Sequence, residues 1–423
     1  MKQFYSLPYG RTTLDFEFPS DCEVDVFEPV HTPGAADPRL EVQLALDRFA
    51  ADGAPGGFGS TSRVAIAIND KTRPVPHQHI LPPLLERLAS LGIVPENIRF
   101  LVATGTHTPL PPDEFERVLP AEILARYPAA SHDCDDQENL VHLGITSRGT
   151  PVAINRTFME ADLRIVVGTL EPHHFMGFSG GAKTAGIGLA GRETINRNHT
   201  LLMHPNARIG AYEDNPIRMD LEEIGSLIGI HLAVNVILND RREIVHALAG
   251  SPLAVMEAGV PVARSISLTP VPHAYDLVIA SAGGHPKDIN LYQAQKAITP
   301  ASLLTRDNGV ILLVAACPEG SGSAGFEAFM QDVHTPQGVL EKFKHEGFRI
   351  GPHKAFQIAR DAQRVHLIAL TELPADKVQR LLLSPASSPQ AALAQAFQRL
   401  PDNPQIAILP KAAQTIPILM VHQ

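Results

Sequence analysis

The stretch LRIVVGTLEPHHFMGFSGGAKT, residues 163–184, sets how the rest of this chain is read. It opens as a short unbroken apolar run, LRIVVG (163–168), the pattern of a strand buried on both faces of a parallel sheet. It then changes to a glycine- and histidine-rich segment around one lysine, Lys183, and continues through AGIGLAGRETINRNH to His199. Six glycines fall between Gly177 and Gly191. Gly loses the most backbone freedom on folding, so such a run implies that something lies close against the backbone.

One reading is a phosphate loop. Residues 177–184, GFSGGAKT, are one residue away from G-x-x-x-x-G-K-[ST], with Ala182 replacing the second glycine. A phosphate loop opens into a helix whose first amides hold the anion. Here Gly186, Gly188 and Gly191 follow, each costing about 1 kcal/mol against Ala in a helix. A nucleotide-binding protein using segment 177–184 is therefore one alternative, and a glycine-rich connection bearing a solvated lysine is another.

Outward from this stretch, apolar runs alternate with amphipathic helical patterns. RVAIAI (63–68) precedes HQHILPPLLERLASLG, and IRFLVATG (98–105) precedes PPDEFERVLPAEILARY, where Pro112, Asp113 and Glu114 mark a helix start. HLAVNVIL (231–238), DLVIASA (276–282), VILLVAA (310–316), VHLIALT (365–371) and IAIL (406–409) continue the series. The pattern predicts an α/β fold of two domains with mostly parallel, Rossmann-like sheets and an active site in the cleft between them. The proline-containing LTPVPHAY (268–275) places the boundary near 270, giving domains 1–270 and 271–423.

Composition narrows the class. The 423 residues are 44% hydrophobic and 19% charged, as in a globular enzyme. A net charge of −10 argues against a nucleic-acid partner, which requires clustered Lys and Arg. No secretory signal is visible and no apolar run approaches the roughly 18 residues of a membrane span. Cys22, Cys134 and Cys317 are odd in number and far apart, which speaks against a thiolate metal site or a disulfide framework and for a reducing cytoplasm.

Reactive side chains gather after the strands, where open α/β sheets bind ligands. NDKTRP brings Asp70, Thr72 and Arg73; TGTHTP brings His107; TLEPHHF brings Glu171, His173 and His174, followed by Lys183 and His199. GGHPKDINLYQAQK brings His285, Lys287, Gln293 and Lys296. Two imidazoles from separate strands with several cations suit an anionic substrate handled by paired bases, because His takes and returns a proton near neutrality.

The stretches DKTRPVP (70–76), ATGTH (103–107), EPHHFMGFSGGAKT (171–184), RETINRNH (192–199) and GGHPKDINLYQAQK (283–296) resemble, in order and spacing, the nickel-dependent lactate racemase family. The resemblance covers about the first 300 residues. It implies an isomerase that inverts C2 of a 2-hydroxy acid by reversible hydride transfer through a 2-keto acid. It also implies a cofactor, nickel in pyridinium-3,5-bisthiocarboxylic acid mononucleotide, attached covalently through Lys183 of the N-terminal domain, with the glycines letting the flat nucleotide lie against the backbone.

By the same resemblance His199 binds nickel, and His107 and His173 transfer protons. Asp70, Lys71, Thr72 and Arg73 contact the cofactor; Arg73, Gln293 and Lys296 meet the substrate, with Lys296 on its carboxylate. The implied partners are a small 2-hydroxy acid and the proteins that build the cofactor and insert nickel, with the oligomeric state left open. The chain lacks tryptophan and carries His285, Lys287 and a second histidine, His174, so lactate, a sugar acid and a dicarboxylate all stand as substrates.

Overall fold

The computed structural model describes residues 2–20, 22–51 and 56–420. The chain forms two compact units, His31–Ile266 and a second made of Met1–Val30 with Ser267–Gln423.

In the first unit, six strands lie in the order Ile244–Gly250, Leu232–Leu238, Leu163–Thr169, Val64–Asn69, Ile98–Ala103, Ala129–Ser131. Every neighbouring pair is parallel except the edge pair 232–238 with 244–250, which a short reversal at 239–243 makes antiparallel. Numbered along the chain the order is 3-2-1-4-5-6, the doubly wound arrangement. The direction of winding therefore reverses between Val64–Asn69 and Leu163–Thr169, and the carboxyl ends of those strands define the crevice.

The central strands are apolar because helices cover both faces. Ile66, Ile68, Ile165 and Val167 enter one core with Ile80, Leu81, Leu84, Leu85 and Leu88 of the helix His77–Ser90. The spacing 80, 84, 88 and 81, 85 puts those side chains on a single helical face. The helix expected over PPDEFERVLPAEILARY does not run through. A short 3-10 turn spans Pro112–Arg117 and a four-residue helix spans Ala121–Leu124, with Pro120 between them. Pro disfavours helical geometry in the residue before it, so the break falls there.

The second unit is built on an all-parallel sheet in the order Ser384–Ala386, His366–Leu370, Thr305–Val314, Tyr275–Ser281, Ile406–Leu409, Val24–Val26. Residues 1–30 belong here, unlike the undivided 1–270 domain expected from sequence. The reason is burial. Lys2–Tyr9 and Thr12–Pro19 form an antiparallel hairpin whose alternation puts Phe16 and Phe18 inward and leaves Asp15 exposed. Leu7, Phe16 and Phe18 complete a core with Leu277, Ile279 and Leu312.

The hairpin tip also occupies the crevice of this second sheet, where winding reverses between Tyr275–Ser281 and Ile406–Leu409. Ser281 Oγ donates to Pro8 O at 2.6 Å, and His285 N to Gly10 O at 2.7 Å. The buried Asp288 accepts from Gly10 N at 2.7 Å and from Ala316 N at 3.0 Å, tying the tip to two strand ends. No helix among the described residues is long and apolar enough to cross a membrane.

Phe18→Ala should destabilise this unit by about 3–5 kcal/mol, the range for emptying an aromatic site in a core. Denaturant titration read by hydrogen exchange in 275–281, 305–314 and 406–409 checks this; unchanged protection in those strands would show that the hairpin is not part of that core.

Candidate active site

The crevice of the first sheet is organised by the turn that follows Val64–Asn69. Arg73 N donates to Asp70 O at 3.1 Å and closes it. The buried Asp70 carboxylate accepts through Oδ1 from the Thr72 amide at 3.2 Å and the Thr72 hydroxyl at 2.7 Å. Its Oδ2 lies 2.7 Å from His107 Nδ1. Burial pushes the Asp70 pKa up, but the hydrogen bonds from His107 and Thr72 outweigh it and hold the carboxyl below its ordinary value. An ionised carboxylate only accepts, so His107 carries its proton on Nδ1 and its lone pair on Nε2. The His107 side chain is 50% exposed, open to an incoming molecule.

The other arm of the turn is Arg73, whose Nη2 reaches His173 Nε2 at 3.2 Å. Thr72 folds back onto Asp70, and Lys71 turns to the surface, where it pairs with Glu114 at 2.8 Å. The loop is pinned at its far end by His77, which is buried and donates from Nδ1 to Val118 O at 2.5 Å.

Beyond Leu163–Thr169 the chain makes a tight return in which Pro172–His173 pairs with Gly177–Phe178. Gly177 has φ +75°, and a Cβ there would sit 1.6 Å from Ala211 O, so no other residue fits. The Phe175 ring stands edge-on to both His173 and His199, with ring centres 4.7 Å and 5.1 Å away. His199 lies on the helix Arg192–Thr200, with Nδ1 3.0 Å from Asn198 Oδ1.

Burial lowers the pKa of His173 far below its usual value, and the charges of Lys183 and Arg73 lower it further. Burial, Lys183 and Arg73 push His199 down to about 3. Lys183 itself is lowered well below the usual lysine value by burial first, then by Arg73 and Arg218, against the weaker pull of Glu171 and Asp70. The site thus holds two neutral imidazoles and an amine shifted toward its neutral, nucleophilic form.

The glycine run has a different cause from the one expected. A Cβ on Gly181 would lie 2.6 Å from Arg218 Nη2, one on Gly186 would lie 2.7 Å from Leu221 Cδ1, and one on Gly188 would lie 2.4 Å from Thr184 O. The protein's own packing demands these glycines, not room for a flat ligand. The phosphate-loop alternative also loses its basis. The helix after Ala182 is only Lys183–Gly186, and the amides of Gly181, Lys183 and Gly186 donate to Asn235 Oδ1, Gly180 O and Ala182 O. They are not aimed outward at a phosphate.

Asp70, Arg73, His107, His173, Lys183 and His199 are therefore gathered in one unit. Gln293 and Lys296 lie in the other, after the cap made by Asn290, and Lys296 Nζ donates to Gln293 Oε1 at 2.6 Å. Sequence reasoning missed Arg218, which is buried and donates to Gly180 O at 3.1 Å and Glu222 Oε1 at 2.7 Å. The only signal was an arginine in the amphipathic PIRMDLEEIG. It also missed Lys354 of the second unit, which burial and Lys296 push down to about 7, with its Nζ 5.0 Å over the Tyr292 ring.

Among the described residues His199 belongs to no cluster of three His, Cys, Asp or Glu ligand atoms; the one such cluster is Asp133, Cys134 and Asp135, where Asp135 is engaged by Arg192 at 2.6 Å. A metal at His199 would take one imidazole from the protein and its other ligands from a bound group, and imidazole suits nickel among others. Lys183 offers the amine for covalent attachment.

Residues 9–210 match the family model of the lactate racemase N-terminal domain, and residues 271–416 that of the lactate racemase C-terminal domain. Lactate racemase of Thermoanaerobacterium thermosaccharolyticum is 30% identical over 355 residues, covering 81% of this chain and 81% of that protein. Lactate racemase of Lactiplantibacillus plantarum is 31% identical over 354 residues, covering 82% and 83%. The solved lactate racemase apoprotein from T. thermosaccharolyticum superposes with a TM-score of 0.86 at 27% identity, covering 98% of this chain and 100% of that one. A Thermotoga maritima protein shares the fold at a TM-score of 0.65 and 19% identity, covering 92% and 100%.

The anchor His77 yields a pH dependence. Burial pushes its pKa down to about 4, below the ordinary value of about 6.5 for an exposed histidine. The unfolded chain therefore binds the proton first as pH falls. Stability from this group is full above pH 6.5 and is lost progressively down to about 4, by ~3 kcal/mol in total. His77→Leu should flatten the slope of unfolding free energy between pH 6 and 5 by about 1.2 kcal/mol per pH unit. Urea titrations across that range measure it; equal slopes would mean that His77 is not buried as the neutral form.

Proposed function

Since the chain belongs to the lactate racemase family, we propose that it inverts C2 of a 2-hydroxy acid through a planar 2-keto acid, using nickel in a pyridinium-3,5-bisthiocarboxylic acid mononucleotide attached to Lys183. The observation that carries this reading is the Asp70–Arg73 turn, which engages one imidazole through each of its ends, beside a lysine held toward neutrality.

Held by Lys183 and His199, the nickel-bearing pyridinium would supply an electrophile for reversible transfer of the C2 hydride. The chain's own residues manage the proton. His107, oriented by Asp70, presents Nε2 to the substrate hydroxyl and takes its proton as the carbonyl forms. His173, kept neutral by burial and by Lys183 and Arg73, takes the proton of the other enantiomer once the substrate carboxylate draws the Arg73 guanidinium from its Nε2. Two bases placed after different strands serve the two faces of one planar keto acid, and a single histidine could not.

Arg73 offers a planar fork to the substrate carboxylate, a geometry that pairs two oxygens at once. The family resemblance assigns Gln293 and Lys296 to the substrate as well, with Lys296 for its carboxylate. His199 supplies the protein's nitrogen to nickel. Asp70 and Thr72 line the cofactor by fixing the turn. The substrate class is a 2-hydroxy acid; His285 and Lys287 leave a sugar acid or dicarboxylate on the same footing as lactate. Loading requires proteins that make the cofactor and insert nickel, and the buried thiols of Cys134 and Cys317 support a reducing, cytoplasmic setting.

Protein produced beside the cofactor-making proteins should carry an adduct on Lys183 by intact mass and peptide mapping. An active preparation with Lys183 unmodified would sink the attachment. His107→Ala and His173→Ala should each lower racemisation by about 10² to 10⁴, the usual cost of losing a general base. Substrate deuterated at C2 should keep much of its label in single turnover. Complete exchange with solvent on every turnover would replace hydride transfer by enolate chemistry.

A further inference from the structure

The side chains behind His199 form a buried relay that the chemistry above does not use. Asn198 sits on the same helix as His199, and Asp220 sits on the helix Pro216–Ile228; both are 0% exposed. The Asn198 Nδ2 group donates to Ile217 O at 3.1 Å and to Asp220 Oδ2 at 2.8 Å. The Asp220 carboxylate is itself fixed from the far side. Its Oδ1 accepts from the Thr146 hydroxyl at 2.6 Å and its Oδ2 from the Thr150 hydroxyl at 2.9 Å. The Thr150 amide donates to Thr146 Oγ1 at 3.1 Å, so those hydroxyls have little freedom to turn away.

We infer that Asp220, acting through Asn198, fixes His199 as the tautomer with hydrogen on Nδ1 and the lone pair on Nε2, and so prepares that imidazole as a nitrogen ligand. The inference rests on the proposed role of His199 toward nickel. An amide has one donor end and one acceptor end. With the donor end held by a carbonyl and a carboxylate, the acceptor end must face His199, where Oδ1 lies 3.0 Å from Nδ1. An acceptor there requires hydrogen on Nδ1. The flipped amide would set its oxygen against two buried acceptors and its NH2 against the ring. A metal-bound imidazole needs its second nitrogen held this way, because the alternative tautomer has hydrogen where the metal must sit. Asn198 and Asp220 are positioning residues and touch neither substrate nor metal.

The test reads the tautomer directly, in the metal- and cofactor-free chain labelled with ¹⁵N-histidine, by long-range nitrogen–proton NMR. The wild-type His199 should show hydrogen on Nδ1. Asn198→Leu, which keeps the volume, and Asn198→Ala should both shift it toward the Nε2–H form, and Asp220→Ala should shift it partway. Thr146→Val removes a hydrogen bond to the same carboxylate but leaves Asn198 bonded, so it should lower stability without moving the tautomer. A merely structural relay would give the opposite pattern, with all variants losing stability and none changing the ring. Nickel retained per chain, after production beside the cofactor-making proteins, should be held about 10- to 100-fold more weakly in Asn198→Leu. A wild-type His199 with hydrogen on Nε2, or an unchanged ring in both Asn198 variants, overturns the inference. Wild-type protein that takes up no nickel under those conditions overturns the nickel role of His199 instead, and the NMR result then stands on its own.

Discussion

The short contact between Asp70 and His107 makes the turn after Val64–Asn69 the part on which the site depends. Strand order makes it so. Because winding reverses between that strand and Leu163–Thr169, the first residues beyond both strands face one crevice. A turn closed by Arg73 N to Asp70 O points the carboxylate one way and the guanidinium another, and each meets an imidazole. The opposite charges give the two histidines different treatment. His107 is oriented by the Asp70 carboxylate and stays open to solvent, while His173 is buried against a cation and is kept neutral. Burial is the main cause that lowers His173, Lys183 and His199, and the Arg73 guanidinium lowers all three further.

The two units apply related sheets to different ends. Both have a point where winding reverses, and in the first unit that point gathers Asp70, Arg73, His173 and Lys183. In the second it is filled by the chain's own hairpin tip, through Ser281 to Pro8, His285 to Gly10 and Gly10 to Asp288. A crevice lined with backbone donors and acceptors must satisfy them, and here residues 8–10 do what a ligand would otherwise do. The crevice of one unit thus carries ionisable side chains, and that of the other is filled by its own backbone.

Much of this was legible in the sequence, for identifiable reasons. Apolar runs such as VAIAIN and LRIVVGT are strands because parallel sheets covered on both faces need continuous hydrophobic residues. Reading only the residues after those runs finds Asp70, His107 and His173 without any partner being known. TTLDFEF alternates as a half-buried strand should, yet its pairing with a core some 260 residues later leaves no local mark. Asn198, Asp220 and Arg218 were not legible. Their hydrogen bonds join helices whose sequences read as ordinary amphipathic segments, and a buried polar residue on such a face is indistinguishable in a string from an exposed one. The failed helix over 111–127 shows the converse, where Pro120 outweighed an otherwise good periodic pattern.

The glycine run and the lysine belong to one physical argument. Gly168, Gly181 and Gly186 each permit an approach that a Cβ would block, to Asn69 and Thr184, to Arg218 and to Leu221 respectively. The segment is closely packed around Lys183, which is itself partly buried, and burial is the largest cause of its lowered pKa. Arg218 is placed within that packing by the same glycines, bonded to Gly180 O, and adds a positive charge that lowers the lysine further. An ordinary surface lysine is protonated at neutral pH and does not act as a nucleophile. Here burial and the charges of Arg73 and Arg218 lower the pKa of the amine and so favour its neutral form. Glycine content that looks like flexibility in the sequence therefore acts, in the folded chain, as room for the close approach of Arg218 and Leu221 to the backbone.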